Sequence, residues 1–554
     1  MRALFVFLLL SLHLFGQDYF TEQYKPFLED IRSPKEFLGY EIGSQHTRHD
    51  QIVSYLNYLA STSDQAELSY YGKTHEGRKL PLLAISSKQN LSRAKEIQKA
   101  HVDYALGDRS TQPEIPLVIN LGYNVHGNEP SSSEAALLTA YTLVASQHTQ
   151  IQQFRDRALI FVDPTINPDG RDRHTQWANT YKGTPLVSDP RDAEHNEAWP
   201  RGRTNHYWFD LNRDWLLAIN PESQGKLAWY HQWYPNVVTD FHEMGSQSTY
   251  FFEPMKANGS LDPIMPKDNY IKLNNLFATY FSKQLDSIGS LYFTKEVFDG
   301  TYPGYGSSYP DLQGGLGILF EQASSRGLKQ KTDFGYITFP FTIRNQYVSS
   351  LATVQAAVEN ASILRQYQRD FFKSGLERSA KSKIKAYTFK DLDKNKTKAF
   401  IDKLIQHKIE VYQTAENSYV VPTEQKQYRM VQSFFETYET YRDSVYYDAS
   451  AWSVAQFYNM KYKGMSKSPE GNLVQNTTDL IALAPLKKSS YAYAVNAQDY
   501  NVPALIQELQ NKKLVSSVAF KPFQAQGTLS FPYGSVVIPV APQNRTADEV
   551  YAIL

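Results

Sequence analysis

Short, almost wholly apolar runs alternate with longer amphipathic ones along the chain up to about residue 370. HDQIVSYLNYLAST reads as a helix by its three-and-four spacing of apolar positions. AELSYYGKT and RKLPLLAISS read as strands separated by the turn-like HEGR, and PLVINLGYNV as the first buried strand. SSSEAALLTAYTLVA predicts a helix with a capping box from Ser131 to Glu134. ALIFVDPTIN predicts another strand, followed by a turn at Pro168–Gly170 in the run NPDG. After a polar stretch come YWFDLNRDW, a helix around PESQGKLAWYHQWY, the strands NVVTDFHEMG and GLGILFEQ, and a long helical region from about Phe341 to Phe372. Strands that are apolar throughout, alternating with helices, indicate the α/β class with a central sheet covered on both faces. Beyond Ser382 the charged stretch KDLDKNKTKAF is expected to act as a linker into a second, α/β-like region. That region carries the strand-like pieces HKIEVYQ, NSYVVPT, DLIALAP, YAYAVN and SVVIPV. The chain stops at ADEVYAIL, a helix just begun, as a truncated sequence would.

Chemistry-bearing residues fall where these elements end. His126 and Glu129, in GYNVHGNEPSSSEA, stand three residues apart between a strand and a helix start, and His242 follows in VVTDFHEMG. Zinc accepts imidazole nitrogen and carboxylate oxygen, and a catalytic site keeps three protein ligands with a fourth position open to water. A His-x-x-Glu pair on one short segment costs little chain entropy to fix, and the third ligand can arrive from a distant strand. This order differs from H-E-x-x-H, in which both histidines sit one helical turn apart. His126, His242 and Glu321 all lie at or near the ends of expected strands, where α/β sheets gather ligands.

Composition narrows the partners. Lys plus Arg and Asp plus Glu each number 57, giving a formal net charge of zero. No basic footprint for nucleic acid or for an anionic membrane follows from that balance. The chain has no cysteine, which excludes a disulfide framework, a thiol nucleophile and a thiolate metal site. The opening MRALFVFLLLSLHLFG, residues 1–16, has an early cation and an apolar stretch too short to span a bilayer comfortably, and it reads as a signal peptide. An extracytoplasmic, periplasmic or secreted protein without stable membrane insertion is the expectation, an uncleaved anchor the alternative. The length suits more than one domain.

His126, Glu129 and His242, together with NPDG, DLNRDW at Asp210–Trp215 and LFE ending at Glu321, occur in the order found in zinc carboxypeptidases of the carboxypeptidase A type. The chain resembles a bacterial secreted member of that family over about residues 30 to 370, and the HGNE form resembles the carboxypeptidase D-like branch. The resemblance implies a mixed, largely parallel central sheet flanked by helices over residues 17–375, with 376–554 as a further region of unknown role. It implies one zinc ion per chain on His126, Glu129 and His242, with Asp210 orienting the first histidine. It further implies Glu321 as general base, Asn212 and Arg213 as the pair that holds a terminal carboxylate, and an oxyanion-stabilising arginine at Arg203, with Arg201 in reserve. The family's active-site tyrosine falls in TYPGYGSSYPD, best at Tyr302, with Tyr305 and Tyr309 as alternatives. Asn128 departs from the pattern, standing where pancreatic-type members have arginine. The polar stretch from Asp172 to Pro200 carries no motif.

The implied activity is removal of C-terminal residues from peptides and proteins. A zinc amidase acting on cell-wall peptides or N-acyl amino acids, and a non-catalytic peptide-binding protein, are the competing readings. A blocked C-terminus that abolishes turnover separates the first from the second. A replaced ligand or base would mark the third, and neither is replaced here. Other histidines, including His174, His195, His206 and His231, have no partner at motif spacing and are expected in the surface or core. No G-x-S-x-G elbow is present, and GKT at Gly72–Thr74 lacks the earlier glycine of a phosphate loop.

Overall fold

The structure, a computed structural model, describes residues 18–256, 264–416, 418–437, 453–480, 485–525, 527 and 529–554. The apolar opening segment 1–16 and the centre of DLIALAP lie outside the described residues. Two compact units emerge, one running to Arg378 and the other formed by Ser379–Glu436 and Ser453–Leu554.

The first unit is built on a seven-stranded mixed sheet. Its strands are β1 (Ala66–Lys73), β2 (Lys79–Ile85), β3 (Leu117–Tyr123), β4 (Ala158–Asp163), β5 (Val237–Met244), β6 (Tyr250–Phe252) and β7 (Leu316–Ala323). They lie in the order β1-β2-β4-β3-β5-β7-β6. The four central strands β4, β3, β5 and β7 run parallel, whereas β1, β2 and β6 join antiparallel. β3 and β4 are buried at every position, which explains why their sequences are apolar runs without alternation.

Alternate residues nevertheless serve different layers. Leu117, Ile119, Leu121 and Tyr123 of β3, Ile160 and Val162 of β4, Phe241 of β5 and Ile318 and Phe320 of β7 enter one continuous core. Helices α1 (His49–Thr62), α2 (Ser131–Ala145), α5 (Asn275–Ser287) and α6 (Phe339–Glu359) contribute to the same core. α3 (Pro168–Tyr181) and α4 (Pro221–Trp233) complete the helices that concern the site, and Trp229 and Trp233 of α4 pack on Phe161 from the other face. Under the site, Tyr123, Phe241 and Phe320 stack across three adjacent strands, with centroids 4.8 and 4.6 Å apart and planes tilted by 5° and 11°. Each such contact contributes about 0.5–1.5 kcal/mol beyond the area it buries.

Several expectations are corrected here. Ser131 and Glu134 form no capping box: Pro130 occupies the N-cap of α2 without a side-chain cap. The Ser131 hydroxyl is turned to Glu243, and the Glu134 carboxylate accepts from Thr47 and the buried Arg171. Pro168–Gly170 is the first turn of α3 rather than a free turn, because Asn167 caps it by accepting from the Gly170 N–H at 3.0 Å. The long helical region is divided at Asn360 into α6 and a second helix, Ala361–Lys381. Most of the expected charged linker is also helical: Lys394–Gln406 forms a helix capped by Asp393, which accepts from Lys396 N–H.

The second unit contains a five-stranded antiparallel sheet, ordered 462–465, 386–389, 419–422, 412–413 and 472–473. It also holds a three-stranded sheet of 492–495, 536–539 and 517–518. The helices Val502–Asn511 and Ala547–Ile553 close a small core there around Tyr493, Leu509, Ile538 and Val550. No helix among the described residues is long and apolar enough to cross a membrane.

In the first unit Asp311 and Glu253 are buried carboxyls near the start of β7. Asp311 accepts from Gly317 N–H and the Asn269 amide, both at 2.8 Å, and Glu253 accepts from Leu319 N–H at 2.9 Å. Burial pushes Asp311 up to about 7, and burial with the Asp311 charge pushes Glu253 well above its ordinary value. A carboxyl whose folded pKa is raised contributes stability that is complete below its unfolded pKa and lost as pH rises through the folded one. Asp311→Asn should therefore show a smaller fall in Tm than the parent chain when the pH is raised from about 5 to about 8, followed by thermal unfolding at each pH. Equal falls would remove Asp311 from this role.

Candidate functional site

The sheet order reverses direction at β3: the chain passes from β3 to β4 on one side, then returns to place β5 on the other. Such a switch leaves a crevice beyond the carboxyl ends of the two diverging strands. His126 and Glu129 follow the end of β3, and His242 lies near the end of β5. β5 pairs in parallel with β7 so that His242 is opposite Glu321. Phe241 and Phe320, their neighbours, face the core, so His242 and Glu321 share the other face. A one-residue slip in this register would send one of them into the core.

Asn124 shapes the loop between β3 and α2. Its backbone sits at φ 57°, and its amide donates to the carbonyls of His126 and Glu129 at 2.8 Å each. Asparagine tolerates this left-handed conformation, which most side chains avoid. Gly127 is required by close approach, since a Cβ there would lie 2.1 Å from the backbone of Gly170 and Arg171 in α3.

The ligand atoms of His126, Glu129 and His242 lie within 4.8 Å of one another, all three residues buried. His126 Nδ1 is 2.9 Å from Glu129 Oε1, while Nε2 is 2.9 Å from Asp210 Oδ1. Asp210 thus occupies the far side of the ring, as expected of a group that fixes a ligating imidazole. Glu129 Oε2 accepts from Glu243 N–H at 2.7 Å. The Glu243 carboxylate in turn accepts from Ser131 N–H and from the hydroxyls of Ser131 and Ser324. The Asn212 amide lies 3.0 Å from His242 Nε2, and its oxygen accepts from Gly306 N–H at 2.7 Å.

Charge in this place is unevenly balanced. For His126 burial opposes protonation, yet the Glu129 and Asp210 carboxylates prevail and push it up to about 9. Burial likewise opposes the Glu129 charge, and His126 beside it brings the carboxyl down to about 2. Asp210 is held well below the usual carboxylate range, against burial, by His126 and Arg203. Glu321 goes the other way: burial, reinforced by the Glu129 charge, raises it well above the usual range. Asp240, which buttresses His242 from 3.4 Å, is raised by burial too. Two imidazoles and a carboxylate converging amid further buried acids suit a divalent cation such as zinc, whose charge would offset this excess.

These groups wall a cavity of about 160 Å³ with Arg203, Arg213, Tyr305 and Ser307 among its lining. Arg203, not Arg201, reaches the centre: it donates to Asp210 Oδ2 at 2.8 Å and approaches Glu129 Oε1 at 3.3 Å. Arg201 instead stands at φ 63° with its carbonyl accepting from Arg173. Arg213 lies over the Tyr305 ring, 4.7 Å from its centroid. Tyr302, the tyrosine favoured by spacing, is 4 % exposed and donates its hydroxyl to the Arg213 carbonyl at 2.9 Å. Tyr305 takes the place at the cavity wall, and Tyr309 is buried against His231 at 3.0 Å.

The polar stretch without a motif proves to be structural support for the site. Glu197 meets His174 Nδ1 at 2.8 Å, accepts from the Asn128 amide at 2.8 Å and from Gly202 N–H at 3.1 Å. One carboxylate therefore ties the HGNE loop, α3 and the segment carrying Arg203 together. Partners 23 to 74 positions apart, as in His174–Glu197 and Glu129–Arg203, leave no local sequence signal. His206 similarly faces Glu76, at 3.0 Å.

A buried carboxylate and two imidazoles at a sheet switch point, with an acid in register beside them, form a donor set that could hold one metal ion. Residues 52–280 match the family model described as zinc carboxypeptidase. The match spans the three ligand candidates, Arg203 and Asp210–Arg213, while Tyr302 and Glu321 lie beyond it. Similar solved structures include a metallo-carboxypeptidase from Burkholderia cenocepacia, 15% identical, TM-score 0.39, covering 56% of this chain and 70% of that one. A carboxypeptidase A from Helicoverpa armigera is 16% identical, TM-score 0.39, covering 60% and 78%. A metallo-carboxypeptidase from Pseudomonas aeruginosa is 14% identical, TM-score 0.37, covering 58% and 70%. A comparison with curated protein sequences finds no match.

Replacing Glu197 by Ala strands His174 and the Asn128 amide in a buried setting. A loss of about 3–5 kcal/mol in unfolding free energy is expected, read by urea denaturation, with Glu197→Gln losing less. A change below about 0.5 kcal/mol would show that the carboxylate ties nothing.

Proposed function

We propose that this chain is a metallocarboxypeptidase that hydrolyses the last peptide bond of peptides and proteins, using one zinc ion held by His126, Glu129 and His242. The reading is carried by one observation: the three ligand candidates converge within 4.8 Å, and the β5–β7 register sets Glu321 beside His242 at the same cavity. When bound, zinc supplies Lewis acidity at the scissile carbonyl and makes water a nucleophile near neutral pH.

The chain's own groups divide the remaining work. Glu321 accepts the proton of the attacking water on its carboxylate and delivers it to the departing amine nitrogen. Its pKa, raised by burial and by Glu129, suits a group that must both take and release a proton. Arg203 donates to the oxygen on which charge develops. Arg213 presents a planar fork to the terminal carboxylate, with Asn212 beside it, and this clamp is what selects a free chain end. Tyr302 supports the clamp from behind through the Arg213 carbonyl. Asp210 holds His126 and Arg203 in one arrangement. Residues 1–16, read as a signal peptide, direct the enzyme outside the cytoplasm.

Zinc content and cleavage assays test the reading. Purified protein should contain about one zinc per chain and release single residues from peptide C-termini, followed by mass spectrometry. Glu321→Gln should keep its zinc and lose about 10²–10⁴ in kcat. Turnover at the parent rate in that variant would exclude Glu321 as the base. Arg213→Ala should lose discrimination between free and amidated C-termini, and equal cleavage of both by the parent protein would point instead to an amidase.

A further inference from the structure

The segment from Trp199 to Asp210 holds several aromatic rings in solvent under unusual constraint. Trp199, Tyr207, Trp208 and Phe209 are 77%, 58%, 59% and 43% exposed. Trp199 and Trp208 lie together, with centroids 5.1 Å apart. Tyr207 packs edge-on against His75, with centroids 4.7 Å apart.

These rings do not sit on a loose loop. The fully buried Asn205 accepts from the N–H groups of Tyr207 and Phe209 at 3.1 and 3.0 Å, and its amide donates to Asn220 at 2.8 Å. Its backbone N–H donates to the Phe209 carbonyl at 3.0 Å, closing the loop. Arg173 donates to the carbonyls of Arg201 and Asn205, and the Asn167 amide to that of Arg203 at 3.0 Å. Trp208 itself is held at φ 66°. A bulky residue in the left-handed region costs free energy and persists only where its surroundings enforce it. A fixed, exposed apolar group of this kind marks an interaction surface.

Its position says what covers it. Trp208 is two residues before Asp210, whose carboxylate touches both His126 and Arg203. Two peptide units place the Cα atoms of Trp208 and Asp210 within about 7.6 Å. An extended chain advances about 3.3 Å per residue, so the rings lie within reach of substrate residues a few positions before the cleaved bond. Asn128, which could otherwise contact an extended substrate, is occupied by Glu197.

We infer that the Trp199–Trp208 pair forms a platform for apolar or aromatic side chains of the peptide upstream of the scissile bond. This rests on the carboxypeptidase reading and makes the enzyme one for unfolded or extended peptides with apolar residues near their ends, rather than for dipeptides.

The test compares an N-acylated dipeptide with an N-acylated hexapeptide ending in the same two residues and carrying Phe and Leu immediately before them. The parent enzyme should favour the hexapeptide by about tenfold or more in kcat/KM. The double variant Trp199→Ala/Trp208→Ala should lose about tenfold on the hexapeptide and less than about twofold on the dipeptide, whereas Trp199→Phe/Trp208→Phe should retain most of the preference. Equal loss on both substrates, or loss on neither, overturns the platform. Should the parent enzyme cleave neither peptide, the carboxypeptidase reading fails, and the platform is decided by calorimetric Kd for the hexapeptide. There, a difference below about twofold between parent and alanine variant overturns it. Selective loss of binding to a β-1,4-linked N-acetylglucosamine oligosaccharide, with the peptide unaffected, would also overturn it, in favour of a glycan surface.

Discussion

The parallel pairing of β5 with β7 is the constraint on which the site depends. It places His242 and Glu321 side by side on one face while Phe241 and Phe320 stack in the core on the other. Hydrogen bonds of the ladder fix the spacing along the strands, and the burial of Phe241 and Phe320 fixes which way each residue points. The ligand loop is then brought to this pair by the neighbouring strand β3, whose Tyr123 joins the same stack. A candidate ligand and an acid on adjacent strands are held far more firmly than they would be on two loops.

Around that frame, the site is a set of acids that share too few cations. Glu129 and Asp210 remain ionised because His126 and Arg203 stand beside them, whereas Glu321 and Asp240 are driven toward the neutral form by burial. Groups of one chemical type are thus pushed apart in acidity by their surroundings, a separation that suits them to different tasks. Hydrogen bonding completes the arrangement: Glu243 supports Glu129 through its backbone and is itself satisfied by two serines.

Much of this was legible in the chain, for reasons that also explain what was not. Strands β3, β4, β5 and β7 read clearly because burial on both faces demands apolar runs. The three ligand candidates and Asp210 were visible because their spacing and order carry a motif, and the geometry brings them together. Local rules failed where distant partners overrode them. Ser131 and Glu134 have the spacing of a cap, yet each is claimed by a buried group elsewhere, Glu243 and Arg171. Pro168–Gly170 has turn composition, yet Asn167 makes it a helix start. Spacing favoured Tyr302 over Tyr305, but within a loop rich in Gly and Pro only the fold decides which ring meets the cavity. Asn124, Glu197 and Asn205 escaped notice altogether: Asn124 and Asn205 act largely through backbone groups, and Glu197 acts on His174 and Asn128, 23 and 69 positions away, beyond any local motif.

The three stacked rings beneath the site have a consequence for how such a chain can change. Tyr123, Phe241 and Phe320 immediately precede or adjoin the segments that carry the chemistry, and their centroid separations of 4.8 and 4.6 Å leave no slack. Shrinking or enlarging one ring would shift the spacing of the strands above it, because close-packed interiors transmit strain rather than absorb it. Substitutions tolerated elsewhere for thermal robustness would here be screened by the geometry of the site as well, so the interior at this point is inherited together with that site.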